Sequence, residues 1–130
     1  MPVPPSGPWT GYYFYGSGGP KHRMNLTLFF APDGRISGEG IDDIAAFAID
    51  GFFDAVGNQA DWTKSYIGKH SVKYHGLYDQ RSICGNWTLV LGSGGFWIWP
   101  AGLEAEEGET AEVEEPIEAV PALSQPRSIG

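Results

Sequence analysis

Apolar and polar residues alternate along most of the first hundred positions of the chain, and this alternation is typical of half-buried β-strands. One phrase recurs within it: an apolar residue, a spacer, a glycine, a spacer and an aromatic residue. The phrase occurs at 9–13, 49–53, 74–78 and 83–87, with a partial copy at 36–38. Because strand side chains point to alternate faces, the three marked residues of each phrase share one face, which we expect to be the inner one.

The inward glycines indicate a small, strongly curved sheet. A glycine on a packed face is favoured where the sheet coils tightly or where a ring from a neighbouring strand needs the space. Eight short strands are predicted, at 9–15, 23–30, 35–40, 47–54, 59–66, 71–78, 82–90 and 96–99. This order predicts an all-β fold, a single eight-stranded up-and-down antiparallel meander barrel, with a two-sheet sandwich as the alternative.

Two connections carry predictions of their own. Residues 41–45 form the one connection that could hold a helical turn, with an aspartate as its cap. The glycine-rich run 92–95 is assigned to the loop before the last strand, because glycine and serine clusters are typical of loops.

Composition divides the chain into three parts. Residues 1–8 contain four prolines and are predicted to form a flexible, extended arm, followed by the barrel domain at 9–100. Residues 101–130 are rich in Glu, Ala and Pro. This last part has too few large apolar residues to offset the entropy of ordering, so we expect a disordered acidic tail.

Most of the net charge of −8 belongs to the tail. Residues 1–100 hold eight acidic and seven basic side chains, whereas 101–130 hold eight glutamates and one arginine. A nearly neutral body with an acidic appendage argues against nucleic acid and anionic membrane as partners, since both require a basic surface. The single cysteine, Cys84, cannot form an internal disulfide, and the sequence shows neither a secretion signal nor a long apolar run, so a cytoplasmic protein is expected.

Seven motifs follow one another along residues 9–100: Trp9-x-Gly11-x-Tyr13, Gly38-x-Gly40-x-Asp42-Asp43, Phe47-x-Ile49-x-Gly51, Lys64-x-Tyr66, His70-x-Val72-x-Tyr74-x-Gly76, Gly85-x-Trp87 and Phe96-Trp97-Ile98-Trp99-Pro100. Their order resembles an uncharacterised family of small bacterial β-barrel domains. The resemblance implies the barrel and no activity. At greater distance the architecture is similar to the avidin and lipocalin (calycin) barrels.

A meander places alternate loops at the same end of a barrel, which collects a polar cluster at one mouth. Lys64 faces inward among aromatic rings, where an ammonium is costly without a polar or anionic partner. It either anchors a ligand pocket or pairs with Asp42 or Asp43, unless it reaches solvent at the rim. The residues predicted to bind a small apolar or aromatic ligand are Lys64, Tyr66, Trp62, Tyr74, Trp87, Asp42, Asp43, His70 and Tyr13.

Whether the barrel is hollow decides between ligand binding and packing. The large rings Trp62, Tyr74 and Trp87 either line a pocket or fill the interior. An internal cavity of roughly 300 Å³ or more would support ligand binding, whereas a packed interior favours protein interaction or a structural role.

The outer surface is predicted to carry an aromatic patch. Strand eight is apolar on both faces, and in a closed barrel it pairs with strand one, so rings from both strands remain outside. Such a patch commonly marks an interface, here with a protein partner or a second copy of the chain, unless the arm or the tail covers it. The predicted interface residues are Tyr12, Phe14, Phe29, Trp97 and Trp99.

No catalytic residue, metal ligand or cofactor is assigned. The sequence has no cysteine pair or HExxH spacing, and no serine or cysteine stands in a nucleophile motif. The prediction is a non-catalytic binding module. The alternatives are a hydrolase or isomerase that uses His70 with Asp42 or Asp43 as acid and base, and a purely structural domain.

Overall fold

A computed structural model describes residues 3–102, so the predicted disorder of the tail beyond them lies outside the described residues. This range contains eight strands and no helix: β1 Gly7–Tyr15, β2 His22–Phe30, β3 Arg35–Asp42, β4 Ala46–Asp54, β5 Gln59–Tyr66, β6 Ser71–Tyr78, β7 Ile83–Leu89 and β8 Gly92–Pro100. Each strand pairs antiparallel with the next, and β8 pairs with β1. The predicted closed meander barrel is confirmed.

The core lies inside the barrel and consists largely of aromatic rings. Trp62 stacks on Tyr74 with ring centroids 5.6 Å apart, and Phe96 meets both rings edge-on, at 5.5 and 4.8 Å. All three side chains are buried. Burial of this much apolar surface is the main force that closes the sheet, and the edge-to-face contacts add to it.

Glycines on the inner face let neighbouring strands and rings approach one another. Gly85 pairs with Gly76 on one side and with Phe96 on the other. A Cβ added to Gly85 would overlap the carbonyl oxygen of His75 and stand 2.6 Å from the Cα of Gly76. A Cβ on Gly76 would lie 2.8 Å from Cζ of Phe96. The Phe96 ring thus occupies the space that the glycine leaves, as the recurring phrase predicts.

The amino-terminal arm lies against the barrel through residues 4–6, and its flexibility stays a prediction. Pro4 is fully buried, and the indole N–H of Trp9 donates to the Pro5 carbonyl at 2.9 Å. The Ser6 hydroxyl accepts the backbone N–H of Phe30, also at 2.9 Å. The proline-rich composition suits this packing, because a buried proline leaves no backbone N–H without a partner.

The glycine-rich run 92–95 is part of β8, contrary to its assignment as a loop. Only Val90 and Leu91 connect β7 to β8. A Cβ on Gly95 would stand 2.9 Å from Cε1 of Phe14, so this glycine makes room for a ring on the adjacent strand. A requirement for cross-strand space, rather than for a bend, therefore explains why glycine stands there.

The helical turn expected at 41–45 is also absent. Asp42 ends β3, and its Oδ1 accepts the backbone N–H groups of Ile44 at 2.9 Å and Ala45 at 3.3 Å. The predicted aspartate cap is present, but it closes a tight turn between two strands. Such turns are a common use of aspartate, because its short side chain reaches the backbone two residues ahead.

Replacing Gly85 by alanine is expected to destabilise the barrel by at least about 1–3 kcal/mol, because the new methyl group meets fixed backbone atoms. Gly92 is the matched control: it also lies in a strand, but a Cβ there meets nothing within 4 Å. Chemical denaturation of both variants measures the difference. A Gly85→Ala protein as stable as the Gly92→Ala protein would show that close strand approach is not required.

Candidate functional site

The end of the barrel that we call the mouth is formed by the connections 16–21, 43–45, 67–70 and 90–91. Up-and-down topology brings these four connections together, because each follows a strand that runs in the same direction. Most of the inward residues nearest to this end are polar or aromatic, and Val72 is an aliphatic one among them. They form two hydrogen-bonded groups, one centred on each of two adjacent aspartates.

The first group is centred on Lys64, which is only 1% exposed. Its Nζ lies 2.7 Å from Oδ2 of Asp42 and 3.7 Å from the sulfur of Met24. Four aromatic rings surround the ammonium at 4.7–5.1 Å from their centroids: those of Tyr13, Phe47, Tyr66 and Tyr74. The arrangement is an aromatic cage for a cation that the chain fills with its own lysine.

Asp42 balances this charge with all of its acceptor capacity in use. Its Oδ2 accepts the hydroxyl proton of Tyr66 at 2.6 Å in addition to the contact from Lys64, while Oδ1 bonds the two turn amides. Burial alone would raise the pKa of the Asp42 carboxyl, but the hydrogen bonds from Lys64 and Tyr66 outweigh it and hold the pKa below its ordinary value. Asp42 is therefore the ionised partner of Lys64.

The protonation states of the other groups agree with this assignment. Burial lowers the pKa of Lys64, and the hydrogen bond to Asp42 opposes that shift. Burial, followed by the bond to Asp42, raises the pKa of Tyr66 far above its usual range. Tyr66 therefore keeps its proton and acts as a hydrogen-bond donor.

The second group is centred on Asp43 and lies nearer to solvent. Its Oδ1 accepts the Tyr13 hydroxyl at 2.7 Å, and its Oδ2 lies 2.6 Å from Nδ1 of His22. The His22 ring stacks on Tyr13 with centroids 4.8 Å apart. Burial, followed by the bond to Asp43, raises the pKa of Tyr13, so this hydroxyl is also a donor.

His22 is a member of the site that the sequence prediction missed. The predicted second strand began at residue 23, whereas β2 begins at His22. His22 shares the parity of Met24 and Leu26, which face inward along the same strand. Extending the alternation by one residue would have placed the imidazole at the mouth.

The mouth opens into a depression that holds about 20 Å³, which is room for about one water molecule. Predicted ligand-binding residues that line it are Tyr13, Lys64, Tyr66, His70, Tyr74 and Trp87, joined by Tyr15, Ile44, Val72 and Leu89. Trp62 does not line it and lies deeper, stacked on Tyr74. The rings fill this part of the barrel, and the depression is far smaller than a pocket for a drug-sized ligand.

The acid–base pair considered from the sequence, His70 with Asp42 or Asp43, is not formed. Both carboxylates have other partners, as described above. The His70 ring contacts Tyr66 instead, with centroids 5.2 Å apart. Within residues 3–102 no three histidine, cysteine, aspartate or glutamate side chains come together as a metal site.

The outer wall, a name we use for Tyr12, Phe14, Trp97 and Trp99, lies on the two strands that close the barrel. The Tyr12 ring centroid is 6.3 Å from that of Phe14, 6.3 Å from that of Trp97 and 6.1 Å from that of Trp99. Trp97 and Trp99 also meet edge-on at 6.3 Å. These four predicted interface residues form one continuous ring cluster.

Phe29, the fifth predicted interface residue, is separate from this cluster. The register of β1 and β2 pairs Tyr12 with Arg23, which is six residues before Phe29 on the same strand. That spacing corresponds to roughly 20 Å along an extended strand. Alternation places Phe29 on the correct face, but only the register sets its height on the barrel.

Comparison of the chain with models of protein families, with curated proteins and with solved structures finds no match. The similarity to the avidin and lipocalin barrels therefore has no support from these comparisons. No helix within residues 3–102 is long and apolar enough to cross a lipid bilayer.

A double-mutant cycle on Lys64 and Asp42 tests whether the two buried charges stabilise one another. Each of Lys64→Met and Asp42→Asn leaves one buried charge without its partner, and we expect each to cost about 3–5 kcal/mol of unfolding free energy. The double variant removes both charges, so its cost should fall clearly below the sum of the two. Strict additivity in equilibrium denaturation would contradict the pairing.

The pH dependence of the Asp42→Asn variant provides a second readout. The folded-state pKa of Asp42 lies below its ordinary value of 3.8, so its contribution to stability is present above that pH and is lost as the pH falls through the folded-state value. The wild-type protein should therefore lose stability below about pH 4 more steeply than the variant does. Parallel curves of unfolding free energy against pH for the two proteins would show that Asp42 does not cause the loss of stability in acid.

Proposed function

We propose that this protein is a non-catalytic binding module that docks on another protein through its outer wall. One observation carries the proposal: four aromatic rings from β1 and β8 cluster on the outer face of a barrel whose mouth is occupied by its own Lys64–Asp42 pair. A contiguous aromatic surface of this kind is typical of the centre of a protein interface. The proposal includes the finer assignments that the sequence suggests, a cytoplasmic location and membership of the small bacterial barrel domains it resembles.

The chemistry of the mouth supports a role outside the barrel rather than inside it. A lysine that anchors a ligand must be able to offer its charge to that ligand. Lys64 is buried and already paired with Asp42, and the adjacent depression holds about one water molecule. Displacing Asp42 would also break its bonds to Tyr66 and to the turn. A ligand would thus have to disrupt the mouth in order to bind there.

The outer wall also continues onto the neighbouring strands. Trp97 pairs with Tyr12 on β1 and with Cys84 on β7, and Cys84 in turn pairs with the exposed Leu77 on β6. Burial, followed by the neighbouring Cys84, raises the pKa of Tyr12 to about 12, so its hydroxyl remains a neutral donor at physiological pH. The surface therefore combines flat apolar rings with hydrogen-bonding groups, as interface cores do.

Replacing Trp97 by serine tests the proposal, with Phe52→Ser as the matched control. Both side chains are about half exposed, at 47% and 56%, but Phe52 lies outside the outer wall, on β4. We expect Trp97→Ser to weaken capture of a cross-linked cellular partner at least about tenfold, as truncation of an interface hot spot does, with Phe52→Ser unchanged. Quantitative mass spectrometry of the cross-linked products measures the ratio.

Light scattering on the same variants identifies the kind of partner. A dimer that Trp97→Ser dissociates would assign the outer wall to a second copy of the chain. Capture that is equal in wild-type, Trp97→Ser and Phe52→Ser proteins would contradict the proposal, because the outer wall would then contribute nothing to binding.

A further inference from the structure

The turn between β7 and β8 exposes two consecutive aliphatic side chains. Val90 is 99% exposed and Leu91 is 97% exposed. Hairpin turns are normally occupied by Gly, Asn, Asp or Ser, which satisfy the turn geometry and remain hydrated. Neither residue contributes to the core, so packing does not explain the aliphatic pair.

A third aliphatic residue, Ile67, projects from the neighbouring connection at the same end of the barrel, and we call these three residues the tip cluster. Thr88 pairs with Lys73, and this register brings the Val90–Leu91 turn level with the loop that precedes β6. Ile67 follows β5 and Val90 follows β7, and only β6 lies between these strands, so the two residues stand about two inter-strand spacings, or roughly 10 Å, apart.

The opposite end of the barrel has the ordinary polar turns. Asp33, Asp54 and Asp79 each accept a backbone N–H two residues ahead, at 2.9, 3.1 and 2.9 Å. Val56 is the one large aliphatic residue of this end that is comparably exposed within residues 3–102, at 87%. The mouth has one such turn, at Asp42, so the ends differ chiefly in the aliphatic turn between β7 and β8.

Two basic side chains stand close to the tip cluster in sequence and strand register. Lys69 shares a loop with Ile67, and Lys73 points outward on β6, and neither is paired with an acidic side chain within residues 3–102. Lys64 balances the charge of Asp42, whereas Asp43 accepts the Tyr13 hydroxyl and keeps its negative charge. Lys69 and Lys73 together outweigh that one charge, so the region beside the tip cluster is positive although the chain as a whole is acidic.

We propose that the tip cluster inserts into the surface of an anionic lipid membrane, with Lys69 and Lys73 contacting the lipid headgroups. Isolated aliphatic tips lack the continuous surface that a rigid protein partner would match, whereas a fluid acyl region accepts them without shape complementarity. Aliphatic side chains flanked by basic ones are the pattern of interfacial membrane binding. The net charge of the whole chain argues against a membrane partner. The charge beside the tip cluster has the opposite sign and favours one. The proposal does not depend on the outer wall.

Vesicle co-sedimentation of the full chain tests the proposal. Vesicles of phosphatidylcholine with phosphatidylserine should bind the protein more strongly than vesicles of phosphatidylcholine alone, and added salt should weaken the difference. Val90→Ser combined with Leu91→Ser should lower binding by more than about tenfold, since two aliphatic side chains no longer leave water. Val56→Ser, the matched control at the opposite end, should bind as the wild type does.

A fluorescent probe at the turn reports insertion directly. In a Cys84→Ser background, an environment-sensitive label on Val90→Cys should shift to the blue when anionic vesicles are added, and the same label on Val56→Cys should not. Failure to bind either vesicle, equal binding to both compositions, equal loss with Val56→Ser, or an unshifted label at position 90 would each overturn the proposal. Unchanged thermal unfolding of the variants excludes misfolding as the cause of a loss.

Discussion

The constraint on which this structure depends is the close approach of strands that carry glycine on their inner face. At Gly85 and Gly51 a Cβ would overlap a carbonyl oxygen of the adjacent strand, so no other residue fits without moving backbone. Close approach gives the sheet its tight curvature and lets rings such as Phe96 lie over the glycines. The inside of the resulting barrel is lined by buried side chains, many of them aromatic.

The packing around the Lys64 ammonium decides whether a ligand can reach its charge. In a hollow barrel an inward lysine would be available to a ligand, but here Lys64 is surrounded by four rings and bonded to Asp42. Desolvation of both charges is costly, and the hydrogen bonds from Tyr66 and the turn amides to Asp42 help to offset it. The pair also ties the end of β3 to β5, two strands away, so it contributes to fixing the shape of the mouth.

The sequence predicts most of the fold, because the signals that define it are local. Alternation predicts the inward face of Lys64 correctly, but it cannot choose a face for strand eight, which is apolar on both. It misses His22 by one residue because a strand end is the weakest part of that signal. Glycine is ambiguous: a run such as 92–95 is typical of a loop, but Gly95 lies in β8, where the Phe14 ring of β1 occupies the space beside it. Register depends on contacts between strands that are distant in sequence. Alternation therefore predicts the face of Phe29 but not its distance from the outer wall.

The Lys64 ammonium is enclosed at the mouth and is not available to solvent. Brief labelling of the native protein with an amine-reactive reagent, followed by mass spectrometry of its peptides, measures this most directly. We expect rapid modification of the exposed Lys69 and Lys73 and protection of Lys64 until the protein unfolds. Modification of Lys64 at the rate of its exposed neighbours would contradict this expectation and would show an open, solvent-filled mouth.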